Sequence, residues 1–216
     1  MRGEGYMYRL FRPGVSGSVK PRIVVAASGR GSNFEKIAEA VSTGLLNATL
    51  ECLLVDRECG ALEIARNFGI RSYLLSKPWH KSFDEIIDQI NPHLIVLAGF
   101  MRIIPENLVE KYFPRIVNIH PSLLPAFPGK DAIVQAYEYG VKVTGVTVHI
   151  VDKGVDTGPI IFQKALEVDE SWSLEQLEEK IHQIEHEWYW RVIRELLYRP
   201  FEIVGRKFRW LDEEGL

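Results

Sequence analysis

The chain has 216 residues, and its 26 Lys and Arg against 29 Asp and Glu give a net charge of −3. With 46% hydrophobic and 25% charged residues its composition is ordinary for a globular protein and excludes a disordered chain. The mildly acidic balance argues against a nucleic-acid backbone as the main partner, since that partner favours a basic face, but it leaves room for a small, localised phosphate.

No run reaches the roughly 18 consecutive apolar residues that cross a bilayer, and residues 1–20 lack a signal-peptide core, so a cytoplasmic protein without a membrane partner is predicted. Cys52 and Cys59 show no CxxC spacing, and neither a disulfide nor a zinc site is expected of them. Gly3, Gly5, Gly14 and Gly17, with Pro13 among them, predict a loose extension over residues 1–20.

From Pro21 apolar runs alternate with helical patterns. The expected elements are a strand at Ile23–Ala27, a helix at Phe34–Val41, a strand at Leu50–Val55 and a helix at Ala61–Phe68. A strand at Arg71–Leu75, a helix at Phe83–Ile90, a strand at Leu94–Ala98, a short helix from Pro105, a strand at Ile116–His120 and a helix near Asp131–Tyr139 follow. This is the grammar of βαβ units: an α/β fold with an open, mostly parallel twisted sheet and helices on both faces. The uniformly apolar IVVAA and LIVLA fit strands covered on both sides. After Gly140 the alternating VTGVTVHIV, the loop GVDTGP and the run IIFQKALEV predict a mixed, partly antiparallel extension of the sheet. A long helix at Leu174–Tyr198 and a terminal Glu202–Trp210 segment complete the chain. One domain over residues 21–200, with a tail over 201–216, is the expectation.

Ligands of open parallel sheets bind beyond the carboxyl ends of the strands. Ser28-Gly29-Arg30-Gly31-Ser32-Asn33, Gly99-Phe100-Met101-Arg102 and Asn118-Ile119-His120 all fall there. The first runs directly into a helix, so its N–H groups are placed to meet a phosphate or another anion. It is also part of a dinucleotide fingerprint, with Asp56 where a ribose-binding acid would stand, but Phe34 occupies the third glycine position. A tight structural turn remains the alternative.

In RIVNIH the period of two puts Ile116, Asn118 and His120 on one face. An amide and an imidazole side by side suit acyl transfer, as oxyanion donors or as general acid, and also suit plain scaffolding. On VTGVTVHIV, Thr147 and His149 share a face that leads into Asp152–Pro159; His149 taken alone reads as structural. The long helix carries His182-Gln183-Ile184-Glu185-His186, which matches the H-x-x-E-H metalloprotease pattern, yet no further acidic ligand is in prospect. Leu174, Leu177, Ile181, Ile184, Trp188 and Val192 form an apolar stripe that includes Glu185. A carboxylate on that side needs a partner: a substrate amine or hydroxyl, an arginine, or, last of the three, zinc.

Together SGRGSN, LAGFMRII, NIHPSLLPAFPG, VTGVTVH, VDKGVDTGPII and the Glu185-His186 pair resemble the folate-dependent formyltransferases, over about Pro21–Tyr198. Within that family the glycine-rich loop and the Glu-His pair resemble the branch acting on a phosphoribosylated glycinamide. The resemblance implies a Rossmann-like formyltransferase fold and 10-formyltetrahydrofolate as co-substrate, without a metal. It implies a catalytic triad of Asn118, His120 and Asp156, in which Asn118 and a protonated His120 stabilise a tetrahedral oxyanion and Asp156 keeps His120 charged. It further implies that Gly31, Ser32 and Asn33 hold the phosphoribosyl end of the amine substrate, and that Glu185, with His182 nearby, meets the glycinamide portion. The folate pocket would be lined by Met101, Arg102, Ile103, Ile104, Asn118, Asp152, Lys153, Gly154, Val155 and Asp156. His80 is a further candidate, since His80 and Lys81 stand where relatives carry an arginine that touches the folate. Small-molecule substrates are thus the expected partners. A deformylase that passes the formyl group to water and a non-catalytic nucleotide-binding module are the alternatives; the number of subunits is left open.

Overall fold

The computed structural model describes residues 5–12 and 19–212. In chain order the elements are β1 Tyr6–Tyr8, β2 Arg22–Ala27, α1 Ser32–Ser42, β3 Thr49–Val55, α2 Ala61–Asn67, β4 Ser72–Leu74, α3 Trp79–Ile90 and β5 Leu94–Leu97. They continue with α4 Glu106–Tyr112, β6 Ile116–His120, α5 Ala132–Tyr139, β7 Val143–Ile150, β8 Ile160–Glu167, α6 Leu174–Tyr198, β9 Phe201–Val204 and β10 Lys207–Trp210.

All the strands join one sheet in the order β1-β9-β10-β8-β7-β6-β5-β2-β3-β4. Its centre, from β4 through β2 and β5 to β6, is parallel, whereas β7 and β8 extend it antiparallel, as the change of pattern after Gly140 predicted. Side chains alternate across this sheet. Ile23, Val25 and Ala27 of β2 join the core under α1, α5 and α6, while Val24 and Ala26 join the core under α3 and α4. Both faces are therefore dry, which is why these strands read as continuous apolar runs.

The ends differ from expectation. Part of the extension predicted to be loose is β1, which pairs antiparallel with β9 and places Tyr8 against Phe201. Phe11 is buried and packs edge-on against His93 and Tyr198. The stretch 13–18 of that extension lies outside the described residues. The expected tail holds β9 and β10, a hairpin that continues the sheet. A three-residue strand whose partner comes from the other end of the chain leaves no local periodicity to read. Helix α3 begins earlier than its stripe suggested, at Trp79, because that ring packs on Phe83 and Phe100.

Helix α6 keeps its expected bounds, opened by a capping box between Ser173 and Gln176. Its buried line is turned slightly: Glu185 and Tyr189 are inside, whereas Ile184 and Trp188 are only partly covered. Trp188 stacks on Phe162 instead, and the Tyr189 hydroxyl reaches between β5 and β6, 2.7 Å from the Leu97 carbonyl oxygen and 3.2 Å from that of Val117. Tyr189→Phe leaves these buried acceptors short of a donor. It is expected to cost about 1–2 kcal/mol in a urea unfolding experiment, with an unchanged m value.

Candidate active site

The carboxyl ends of β2, β5 and β6 open into a cleft of about 1030 Å³, large enough for two small ligands. The β2–α1 loop, the segment after β5, the end of β6 and the β7–β8 loop all contribute to its wall.

On β6, Val117 and Ile119 face the α6 side, so the period of two sends Asn118 and His120 to the opposite face. Antiparallel pairing sets Asn118 directly across from His149 of β7. The Asn118 amide nitrogen lies 3.3 Å from His149 Nε2. His149 Nδ1 lies 3.0 Å from the Ile150 carbonyl oxygen, an acceptor only, so Nδ1 carries a proton, while Nε2 faces both the Asn118 amide and Asp156. His120 Nε2 lies 2.8 Å from the Phe127 carbonyl oxygen and donates a proton to it, and Nδ1 faces Asp156.

Asp156 closes the cluster from the β7–β8 loop. Its Oδ2 accepts from the Gly129 N–H at 2.7 Å and stands 3.4 Å from His120 Nδ1, and its Oδ1 stands 3.6 Å from His149 Nε2. Its backbone has φ 54°, a left-handed conformation that Asp and Asn tolerate better than most residues. Burial works to raise the Asp156 pKa. The His149 ring, the Gly129 N–H and the charge of His120 outweigh it and hold the carboxyl below its usual range. The site thus keeps an anion between two imidazoles, beside an amide with one of its two N–H bonds uncommitted.

At the other end of the cleft, Gly31 starts α1 with φ 85° and no side-chain cap, so the first N–H groups of the helix lack intrahelical partners. A Cβ on Gly31 would stand 2.8 Å from Ala61 Cα, which makes glycine necessary where the loop crosses α2. Glu185 faces this loop from α6 and is 4% exposed. Its Oε2 receives the Asn33 amide nitrogen at 3.2 Å and His182 Nδ1 at 2.9 Å. The partner demanded for this carboxylate is therefore an amide and an imidazole, with no arginine bonded to it. Among the described residues two buried polar atoms here, Asn33 Oδ1 and His186 Nε2, have no hydrogen-bond partner. Among the described residues no group of three His, Cys, Asp or Glu is placed to hold a metal ion.

Met101, Arg102, Ile103 and Ile104 also line the cleft, as do Asp152, Gly154 and Val155. This wall is tied to the first loop: the Met101 N–H donates to Ser28 Oγ at 2.8 Å, and Arg102 Nε donates to Asp56 at 2.7 Å. Burial alone would raise the Asp56 pKa, but hydrogen bonds from Arg57, Ser28 and Arg102 bring it down to about 2. Asp56 is thus committed to two guanidiniums and is not open to a ribose.

Two expected residues fall outside the cleft. Lys153 turns away to pair with Glu106 at 2.6 Å and Glu110 at 2.5 Å on α4, where two carboxylates outbid the pocket. His80 packs edge-on against Trp79 and is not part of the wall. In the other direction, His149 belongs to the cluster although alone it read as structural. The only signal for it was its polar face on the strand leading into the Asp156 loop, because strand register is not written in local sequence.

The Formyl transferase family profile matches residues 21–193. The chain is 47% identical to the phosphoribosylglycinamide formyltransferase of Bacillus subtilis, over 82% of this chain and 94% of that one. Its fold superimposes on glycinamide ribonucleotide transformylase 1 of Symbiobacterium toebii with a TM-score of 0.84 at 38% identity, covering 89% of this chain and 95% of that chain. A formyltetrahydrofolate deformylase of Pseudomonas syringae also matches, with a TM-score of 0.83 at 25% identity, covering 90% of this chain but 67% of that one. With the family profile and a relative of this identity both spanning most of its length, the chain belongs to the formyl transferase family, among the phosphoribosylglycinamide formyltransferases.

Proposed function

We propose that the protein transfers the formyl group of 10-formyltetrahydrofolate to the amine of phosphoribosylglycinamide, a step of purine biosynthesis carried out in the cytoplasm. The observation that carries this reading is the continuity of one cleft from Gly31–Asn33, past Glu185 and the Asn118/His120/Asp156 cluster, to Met101–Ile104. One cleft thus holds an anion-binding loop, a buried carboxylate, a polar cluster and a largely apolar wall, the features that a phosphorylated amine and a folate together require.

In this reading the uncapped N–H groups of Gly31, Ser32 and Asn33 bind the phosphate, and Glu185 takes the glycinamide end. Met101–Ile104, Asp152 and Gly154–Asp156 line the folate, with Asn118 at the meeting point. When the amine nitrogen attacks the formyl carbon, charge moves to the formyl oxygen. The second N–H of Asn118 is free to meet that oxygen, and His120 does so by exchanging its bond to the Phe127 carbonyl. One such donor contributes about 10²- to 10³-fold in rate. The proton shed by the amine passes to the leaving folate nitrogen by way of His120 or a water. Asp156, 3.4 Å from His120 Nδ1, offsets positive charge on that ring while the proton is in transit.

The test is spectrophotometric loss of 10-formyltetrahydrofolate. Loss that depends on phosphoribosylglycinamide supports the transferase; loss into water alone supports a deformylase, and no loss with either overturns both. Glu185→Gln is expected to raise KM for the phosphorylated amine about ten- to hundredfold, the loss expected for a hydrogen bond to a charged group, with KM for the folate unchanged.

A further inference from the structure

Asp56 directly follows β3, where a dinucleotide-binding chain keeps its ribose acid, and the chemistry proposed above gives it no task. Its side chain has no exposed surface, yet it does not line the cleft. A carboxylate enclosed in this way keeps its charge only when that charge is met. Arg102 Nε donates to Oδ2 at 2.7 Å, Arg57 donates to the two oxygens at 3.0 and 3.3 Å, and the Ser28 hydroxyl adds a further hydrogen bond.

Two of these donors lead to the same segment. Ser28, itself buried, accepts the Met101 N–H on its Oγ at 2.8 Å, and Arg102 is the next residue. Residues 101–104 form neither helix nor strand. Phe100 is anchored before them by the Trp79 and Phe83 rings, and Ile104 is buried at their end. Between these anchors Met101 is 54% and Ile103 72% exposed, so packing does not hold the segment in place. Among the described residues, the two hydrogen bonds that 101–104 make are those to Ser28 and to Asp56.

We propose that Asp56 is a positioning residue for the folate: from behind the cleft it holds Arg102 directly and Met101 through Ser28, and so sets the course of the wall at Met101–Ile104. The inference rests on the folate reading above. Burial works against the Asp56 charge, but the bonds from Arg57, Ser28 and Arg102 outweigh it and hold the pKa at about 2, so the clamp stays ionised across the working range of pH. It also neutralises Arg102, which would otherwise stand as an unpaired cation on a largely apolar wall. Asparagine has nearly the same size but presents an NH₂ group to the guanidiniums and carries no charge.

Tetrahydrofolate binding would be measured by calorimetry, and kcat and KM for both substrates by the formyl-transfer assay. The proteins compared are the wild type, Asp56→Asn, Arg102→Gln, the double variant and, as control, Arg57→Gln. Amide hydrogen exchange over 101–104 would be followed in the same set. Asp56→Asn should weaken tetrahydrofolate and raise KM for the formyl donor about three- to tenfold, the scale of a charge-assisted bond with one half-exposed partner. Its kcat and KM for the phosphorylated amine should stay within about twofold of the wild type, and the Met101 amide should exchange faster. Because Asp56 acts through Arg102, the double variant should fall short of the product of the single effects. Arg57 is half exposed and does not line the cleft, so Arg57→Gln should bind tetrahydrofolate as the wild type does.

Wild-type folate affinity in Asp56→Asn, an unchanged Met101 exchange rate, or fully additive effects in the double variant overturns the proposal. Should Asp56→Asn fail to fold, Arg102→Gln, altered at a half-exposed side chain, repeats the comparison from the other end, and unchanged folate affinity there has the same meaning. A wild type that takes up no tetrahydrofolate, while Asp56→Asn still frees the Met101 amide, overturns the folate reading alone, so the two failures are distinguishable.

Discussion

Asp156→Asn is expected to lower kcat about 10²- to 10³-fold, the scale on which a preorganised charge-stabilising group is worth something in a transition state. Folate binding should be nearly unchanged. The substitution isolates charge from shape: asparagine tolerates φ 54° and can still accept from the Gly129 N–H, so the loop has no reason to move. What disappears is the anion between His120 and His149. The same residue gives a pH signature. Its folded-state pKa is lowered, so its contribution to stability is complete above the ordinary Asp value of about 3.9 and is lost as the pH falls through the folded value. Acid unfolding should therefore be steeper in the wild type than in Asp156→Asn. Stopped assays for kcat, a folate titration and urea curves at several acidic pH values decide it; normal turnover in the variant would remove Asp156 from the chemistry.

The second large effect is expected at Gly158, which carries no catalytic group. A Cβ there would lie 1.7 Å from the Ile150 carbonyl oxygen and 3.2 Å from the Asp152 backbone nitrogen. Both obstacles are main chain, and the Ile150 N–H is itself bonded to the Pro159 oxygen at 2.9 Å, so the end of β7 cannot yield without losing its partner. Gly158→Ala should cost roughly 3 kcal/mol or more in stability. Any protein that folds should combine weak folate binding with a kcat as low as that of Asp156→Asn, since the loop that carries Asp156 is levered off β7. Gly154→Ala is the control. Its Cβ would meet Thr157 Oγ1 at 2.1 Å, the end of a side chain that can rotate away at the expense of its bond to Asp152. It should be much the milder of the two in a thermal melt, and equal losses would show that the backbone clash is not what makes Gly158 necessary.

These expectations draw on different depths of sequence information. The central strands β2 and β5 were legible because helices cover both of their faces, and IVVAA and LIVLA hold nothing polar. Asn118 and His120 were legible as a pair because the strand period alone puts them on one face. His149 was not, because its place opposite Asn118 depends on the register of β6 and β7, which is settled by pairing across the sheet. Lys153 sat in the right loop but pointed outward, toward carboxylates on a helix that is distant in sequence. On α6 the stripe was nearly right, yet a hydroxyl able to reach two strand carbonyls drew Tyr189 inside in preference to the larger indole of Trp188. Local pattern fixes which face a residue takes; partners from elsewhere in the chain fix what it touches.

The two outermost strands of the sheet, β1 and β4, are three residues long each. A strand of that length displays too few free N–H and C=O groups to nucleate pairing with a foreign strand. The broad, strongly apolar sheet is thereby blunted at both margins, and β1 achieves this on its side by capping β9, whose Phe201 ring lies directly beneath it. Without Tyr6–Tyr8 the four-residue β9, with its Phe201 ring, would become the margin of the sheet, a slightly longer border with a buried aromatic laid open.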